Sequence, residues 1–200
     1  MNPPDLTAAD LPTRRSNHSP RRTLLVCWGL GLLALVTAGH ASAETAAGYK
    51  LQGRYLVNFT EFVDWPPRTF ATRASPILIG VLGEDPFGDV LDEILKNRLV
   101  NGRRLEIKRS RTVDDLKACQ VLYISNSEKA HQVQLLATLA GQPVLTVSDL
   151  DEFLARGGMI RFRVHRQKVR FSVNIAAAER AGLKIDSQLL NLVRREEGAD

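Results

Sequence analysis

The segment PILIGVLGEDPFGDVLDEIL, residues 76–95, carries the pattern that decides the fold. Its first eight residues are almost continuously apolar and mostly branched, which is typical of a strand buried on both faces. In the second half Asp89 stands where a helix N-cap is expected, and apolar residues follow at helical spacing: Val90, Leu91, Ile94 and Leu95. A doubly buried strand followed directly by an amphipathic helix predicts the βα unit of an α/β protein.

The same alternation of strands and helices continues on both sides of this unit. Upstream, residues 45–65 are predicted as an amphipathic helix with one apolar stripe, formed by Leu51, Tyr55, Phe59, Phe62 and Val63. Downstream, the pattern predicts strands at 103–109, 120–125 and 143–149, with helices at 112–118 and 127–141 between them. Strands separated by helices of this length predict a mainly parallel sheet with helices on both faces.

The last part of the chain departs from this alternation. Residues 149–158 are predicted as a short helix that ends at Gly157, because glycine adopts the left-handed conformation without strain. Apolar and polar residues then alternate strictly over 160–165 and 169–174, with a short polar turn between the two runs. This pattern predicts an antiparallel β-hairpin with one face in the core, followed by C-terminal helices at 175–182 and 186–195.

Residues 1–43 have the organisation of an export signal peptide, with a long basic N-terminal region before an apolar run. The run, residues 24–38, is shorter than the roughly 20 residues that span a bilayer. Small residues at positions 41 and 43 suit cleavage after Ala43. We therefore expect a periplasmic protein whose mature part, residues 44–200, is a single α/β domain; a retained signal anchor is the alternative.

The charge and cysteine content of the mature part narrow the classes of partner. Four of the 27 basic and two of the 22 acidic residues precede residue 44, so the expected mature chain carries a net charge of +3. Such a small excess does not indicate a nucleic-acid partner.

Cys119 is the one cysteine after residue 43, so no intramolecular disulfide can form in the mature part. Its place before an apolar strand predicts a buried small side chain.

The sequence contains no recognisable motif for catalysis, a metal or a cofactor. Gly83 and Gly88 have the spacing of a phosphate-binding loop, but Asp89 and Val90 occupy the positions that require lysine and a hydroxyl. The two histidines of the mature part have no ligand spacing, and the clustered carboxylates lie at strand-to-helix turns, where Asp caps helices. We therefore predict no metal and no cofactor, whereas the absence of these motifs does not by itself show that the protein is not an enzyme.

Two surfaces are candidate binding sites. The turn after the first buried strand predicts a small-molecule crevice, since parallel sheets bind ligands at the carboxyl ends of their strands. Its residues are Glu84, Asp85 and Phe87. The alternative is that Phe87 closes the end of the sheet as a core residue. The hairpin and the last helix form the second candidate, which would bind a protein partner through charge and apolar anchors: Arg161, Arg163, Arg170, Leu189 and Leu192. A solvated strand face is the alternative for the arginines.

Taken together, these segments resemble the YfiR family of periplasmic proteins. The matching pieces cover nearly all of the mature part in order, among them YLVNFTEFVDWP at 55–66 and VRFSVNIAAAERAGLKIDSQLLNL at 169–192. The most specific are Asp-Pro-Phe-Gly at 85–88, Thr-Val-Ser-Asp at 146–149 and Gly-Gly-Met-Ile at 157–160.

The resemblance implies a non-enzymatic regulator. Proteins of this family bind the periplasmic part of an inner-membrane diguanylate cyclase and hold it inactive, which lowers cyclic di-GMP and biofilm formation. The resemblance also implies a homodimer, and an outer-membrane lipoprotein that sequesters the regulator. The alternative is a small-molecule-sensing domain that acts on another membrane receptor, such as a sensor kinase. Family members can carry disulfide-forming cysteine pairs, and this chain departs from that pattern because Cys119 is alone.

Overall fold

A mixed β-sheet forms the centre of the computed structural model, which describes residues 46–165 and 168–197. These residues belong to one compact unit, and the predicted signal peptide at 1–43 lies outside them. The helices are α1 (46–59), α2 (Asp89–Leu95), α3 (Gln132–Leu139), α4 (Ile175–Arg180) and α5 (Ser187–Glu197). The strands are β1 (Val63–Asp64), β2 (Ile77–Leu82), β3 (Leu99–Val100), β4 (Arg103–Ser110), β5 (Val121–Ile124), β6 (Leu145–Ser148), β7 (Ile160–His165), β8 (Lys168–Val173) and β9 (Lys184–Ile185).

The main sheet of the described part has the strand order β3-β4-β2-β5-β6-β7-β8. Its four inner pairings are parallel, whereas the pairings at the two edges, β3 with β4 and β7 with β8, are antiparallel. The expectation of a mainly parallel sheet is therefore wrong in this respect, although the C-terminal hairpin was predicted. At the other edge Asn101 and Gly102 both have positive φ, 52° and 76°, which is the conformation of a tight hairpin turn.

Hydrophobic side chains cover both faces of the inner strands. In β5, Val121 and Tyr123 belong to the cluster that α1 and α2 cover, whereas Leu122 and Ile124 belong to the cluster that α3 covers. Successive side chains of a strand point to opposite faces, so this division places helices on both sides of the sheet. The prediction of strands buried on both faces is confirmed for β2 and β5.

The first helix is shorter than its apolar spacing predicts. Helix α1 ends at residue 59, where the backbone N–H groups of Thr60, Glu61 and Phe62 donate to the carbonyls three residues earlier. The chain then extends, and β1 pairs antiparallel with β9. The helical spacing of Phe62 and Val63 therefore continues past the end of the helix by coincidence.

The segment at 149–158 forms a series of turns rather than the predicted helix. Glu152 has a φ of 57°, which is incompatible with continued helix. The two glycines that follow have different roles. Gly157 has a φ of 99°, which is the left-handed conformation that was predicted for it. Gly158 is required for space, because a Cβ there would lie 2.3 Å from the Phe153 ring. Gly158 therefore allows the backbone to pass directly over a buried aromatic side chain.

We expect Gly158→Ala to lower the free energy of unfolding by about 1–3 kcal/mol, because the added methyl group overpacks the site against Phe153. Urea denaturation of the two proteins measures the difference. Gly48→Ala is the matched control, since the space around Gly48 in α1 is open, and it should raise the stability by about 0.5–1 kcal/mol. Equal stability of Gly158→Ala and the parent protein would contradict the packing argument.

Candidate functional site

The Asp-Pro-Phe-Gly turn after β2 is fixed by one arginine from the neighbouring strand. Arg109 donates to Asp85 Oδ2 at 2.6 Å, to the Gly88 carbonyl at 3.1 Å and to Asp92 of α2. Asp85 in turn accepts the backbone N–H of Phe87 at 2.7 Å. The guanidinium of Arg109 also lowers the pKa of Asp92. Asp85 therefore serves to shape the turn.

Phe87, at the centre of this turn, is a core residue with 4% of its surface exposed. Its ring lies edge-on to Tyr123, with 4.7 Å between the centroids, and to Tyr49 at 5.9 Å. The exposed Glu84 is held at its backbone N–H by Ser127 Oγ, and the 3₁₀ turn at Asn126–His131 packs directly on Gly83. The alternative for Phe87, closure of the sheet end, is thus the observed arrangement, and of the three predicted crevice residues only Glu84 is exposed.

Beside Phe87 lies a partly buried polar cluster that the sequence patterns did not indicate, formed by Tyr49 of α1, Tyr123 of β5 and Asp149 after β6. Burial raises the pKa of the Asp149 carboxyl, and the two tyrosine hydroxyls and Arg161 partly offset that effect. Burial and the proximity of Asp149 raise the pKa of both tyrosines. Among the described residues, neither the Tyr123 hydroxyl nor Asp149 Oδ1 has a hydrogen bond of standard geometry, so the groups act on each other through proximity.

A sequence signal for this cluster existed in the segment VLYI, residues 121–124. A tyrosine inside a strand that is buried on both faces needs a polar neighbour for its hydroxyl. Asp149 carries no such signal, because nothing local in the sequence shows that the ends of β5 and β6 bring it close to Tyr123.

The hairpin brings the three predicted arginines onto one face. Arg163 lies directly opposite Arg170 in the β7–β8 register, and Arg161 lies opposite Ser172. Arg163 is exposed and donates to Ser172 Oγ at 2.9 Å, whereas Arg161 is partly buried and pairs with Asp151. Lys168 lies on the same face, which we call the basic face and define as Arg161, Arg163, Lys168 and Arg170.

The two predicted leucine anchors lie elsewhere. Leu189 is 1% exposed and packs in the same cluster as Phe162 and Phe171, so it holds α5 to the apolar side of the hairpin and is not a surface anchor. Leu192 is 40% exposed on that helix. Helix α5 therefore covers the face opposite to the arginines, and the five residues do not form one continuous patch.

The described residues contain no group of three or more His, Cys, Asp or Glu side chains that could hold a metal ion. Cys119 is 1% exposed, as predicted, and burial raises the pKa of its thiol to about 11. Within 46–165 and 168–197, no helix has the length and apolar character needed to cross a membrane.

These features define an α/β domain in which the Asp-Pro-Phe-Gly turn is filled by Phe87 and held by Arg109. Residues 49–194 match the family model described as DUF4154, YfiR/HmsC-like, and the chain belongs to this family. The resemblance to the YfiR family is thereby confirmed. The family is one of periplasmic regulators, rather than enzymes, connected with membrane diguanylate cyclases.

The buried carboxyl of Asp149 should make stability depend on pH. Its folded-state pKa is raised, so its favourable contribution is complete below the unfolded value near 3.8 and is lost as pH rises through the folded pKa. We therefore expect Asp149→Asn to gain stability relative to the parent protein as pH increases from about 4 to 7. Thermal melts across this range measure the difference in Tm. A pH-independent difference between Asp149→Asn and the parent protein would contradict the assignment.

Proposed function

We propose that this protein is exported to the periplasm, where it binds the periplasmic part of an inner-membrane diguanylate cyclase and keeps the enzyme inactive. The single observation that carries the proposal is the family match over residues 49–194. The expected result of this inhibition is lower cyclic di-GMP and less biofilm. The homodimer and the sequestering lipoprotein that the resemblance implies stay predictions.

The basic face is the surface that we propose for the partner. It lies on β7 and β8 at the edge of the main sheet, and Arg163 and Lys168 are exposed there. Among the described residues, neither Arg163 nor Lys168 has a carboxylate partner. A partner surface with carboxylates at matching positions would complement these two charges, so the arrangement favours an acidic surface.

An inhibitor of this kind acts only through a difference in affinity. It must bind the inactive conformation of the cyclase more tightly than the active one, and the shift that it produces cannot exceed that difference. The basic face supplies orientation and a fast encounter, whereas selection between the two conformations requires contacts that exist in one of them only.

The proposal is tested by isolating the partner. Tagged protein, produced with its own export signal, is used to capture proteins from detergent-solubilised inner membranes, and the captured proteins are identified by mass spectrometry. Recovery of a membrane protein with a cytoplasmic cyclase domain, together with a fall in cyclic di-GMP when the regulator is expressed, is the expected result. Recovery of a different receptor, or of no membrane protein, would refute the proposal.

We expect Arg163→Glu to slow association with the captured partner by roughly ten-fold at low salt, because the change reverses the charge at the exposed centre of the basic face. The effect should shrink as salt screens the interaction. Surface plasmon resonance measures the association rate. Arg104→Glu is the matched control, since Arg104 is an exposed strand arginine near the opposite edge of the sheet, and it should leave the rate unchanged.

A second pair of variants separates the two faces of the hairpin. Leu192→Asp places a charge on the exposed surface of α5, and Leu99→Asp does the same on β3, where Leu99 is 60% exposed. If the basic face alone binds the partner, neither change should alter affinity. A loss of affinity with Leu192→Asp that matches the loss with Arg163→Glu would move the contact surface to α5.

A further inference from the structure

An open cleft of about 410 Å³ lies where α3, the turns at 151–157 and α4 meet. None of the residues that line it belongs to the basic face or to the Asp-Pro-Phe-Gly turn. Its volume is within the range of about 300–1,000 Å³ that is typical of small-molecule sites. No function discussed above uses this cleft.

The floor of the cleft is apolar. It is formed by the buried side chains of Leu136, Leu139, Met159 and Ala177. The one hydroxyl at the floor, on Thr146, already accepts the backbone N–H of Met159 at 3.1 Å. The body of a ligand that occupies the floor is therefore apolar, because a polar group there would lose its hydrogen bonds to water.

Two arginines stand at the rim and differ in how they are held. Arg156 pairs with Glu152 and donates to the buried Gln132 at 3.1 Å, so its charge is compensated and its position is fixed. Arg180 donates through Nε to the Ala176 carbonyl at 3.1 Å, and its guanidinium has no carboxylate partner among the described residues. The mouth of the cleft thus carries a cation without a carboxylate partner in the described part of the chain, beside an apolar floor.

Glycine keeps the rim open. Gly141 and Gly157 have φ values of 73° and 99°, a conformation that favours glycine, and a Cβ at either position would meet no atom within 4 Å. The positive φ favours glycine at these two positions, and because glycine has no side chain, the space at the mouth stays open.

We propose that this cleft binds a small amphipathic carboxylate, with its apolar body on the floor and its carboxylate at Arg180. Charge complementarity decides the ligand class, since an apolar floor alone would accept a neutral molecule equally well. The inference does not rest on the proposed function, because it concerns a different surface.

The experiment compares two compounds of matched shape, 1-naphthoate and the neutral 1-naphthalenemethanol, by isothermal titration calorimetry with the purified protein. We expect the carboxylate to bind at one site and the alcohol to bind at least roughly ten-fold more weakly, because a charge-assisted hydrogen bond is lost. Equal affinities, or no binding of the carboxylate, would overturn the proposal.

Variants place the binding at this cleft. Ala137→Leu adds bulk to an exposed α3 residue at the mouth and should abolish binding, whereas Ala47→Leu, at an exposed alanine of α1 that does not line the cleft, should leave it unchanged. Arg180→Gln should weaken the carboxylate by roughly ten-fold and leave the alcohol unaffected. Circular dichroism confirms that each variant is folded. Binding that persists in Ala137→Leu would show that the ligand lies elsewhere.

Discussion

The arrangement of this molecule depends on an aromatic contact between its first helix and its last hairpin. Phe59 of α1 packs against both Phe162 and Phe171, with centroid distances of 5.8 and 5.1 Å, and Tyr55 contacts the same two rings. Side chains alternate between the faces of a strand, so burial of these two phenylalanines forces Arg163 and Arg170 onto the opposite face. A slip of one residue in either strand would bury the arginines. The basic face is thus a consequence of the core.

Elements with a local signal were predictable from the sequence. The continuous apolar run of β2 indicates a strand buried on both faces, and the alternation in β7 and β8 indicates strands buried on one face. The edge hairpin of β3 and β4 was missed, although Asn101 and Gly102 form its turn, because its first strand has only two residues. The end of α1 was missed because apolar spacing continues beyond it, and the spacing does not show that Val63 pairs with Ile185 far along the chain.

The polar residues of the candidate site were recognisable by type but not by partner. Asp85 was expected to face a ligand, yet it is bound to Arg109, which lies 24 positions further along the chain. Tyr123 lies in β5 and Asp149 directly follows β6, so they meet only when β5 and β6 pair in register, Ile124 with Ser148. Pairings of this kind are set by the topology of the sheet. For Arg161, Arg163 and Arg170 the topology was itself predictable, and so was their common face.

Met159 connects the floor of the cleft to the base of the hairpin. Its N–H donates to Thr146 Oγ1 of β6, its carbonyl accepts from Asn174 N at 2.7 Å, and the next residue begins β7. A ligand on this floor therefore touches the residue that ties both hairpin strands to the sheet. Such contact alone does not make the ligand a regulator. A ligand changes the affinity for the partner only if the ligand binds the free and the partner-bound protein with different affinities. The partner then changes the affinity for the ligand by the same factor.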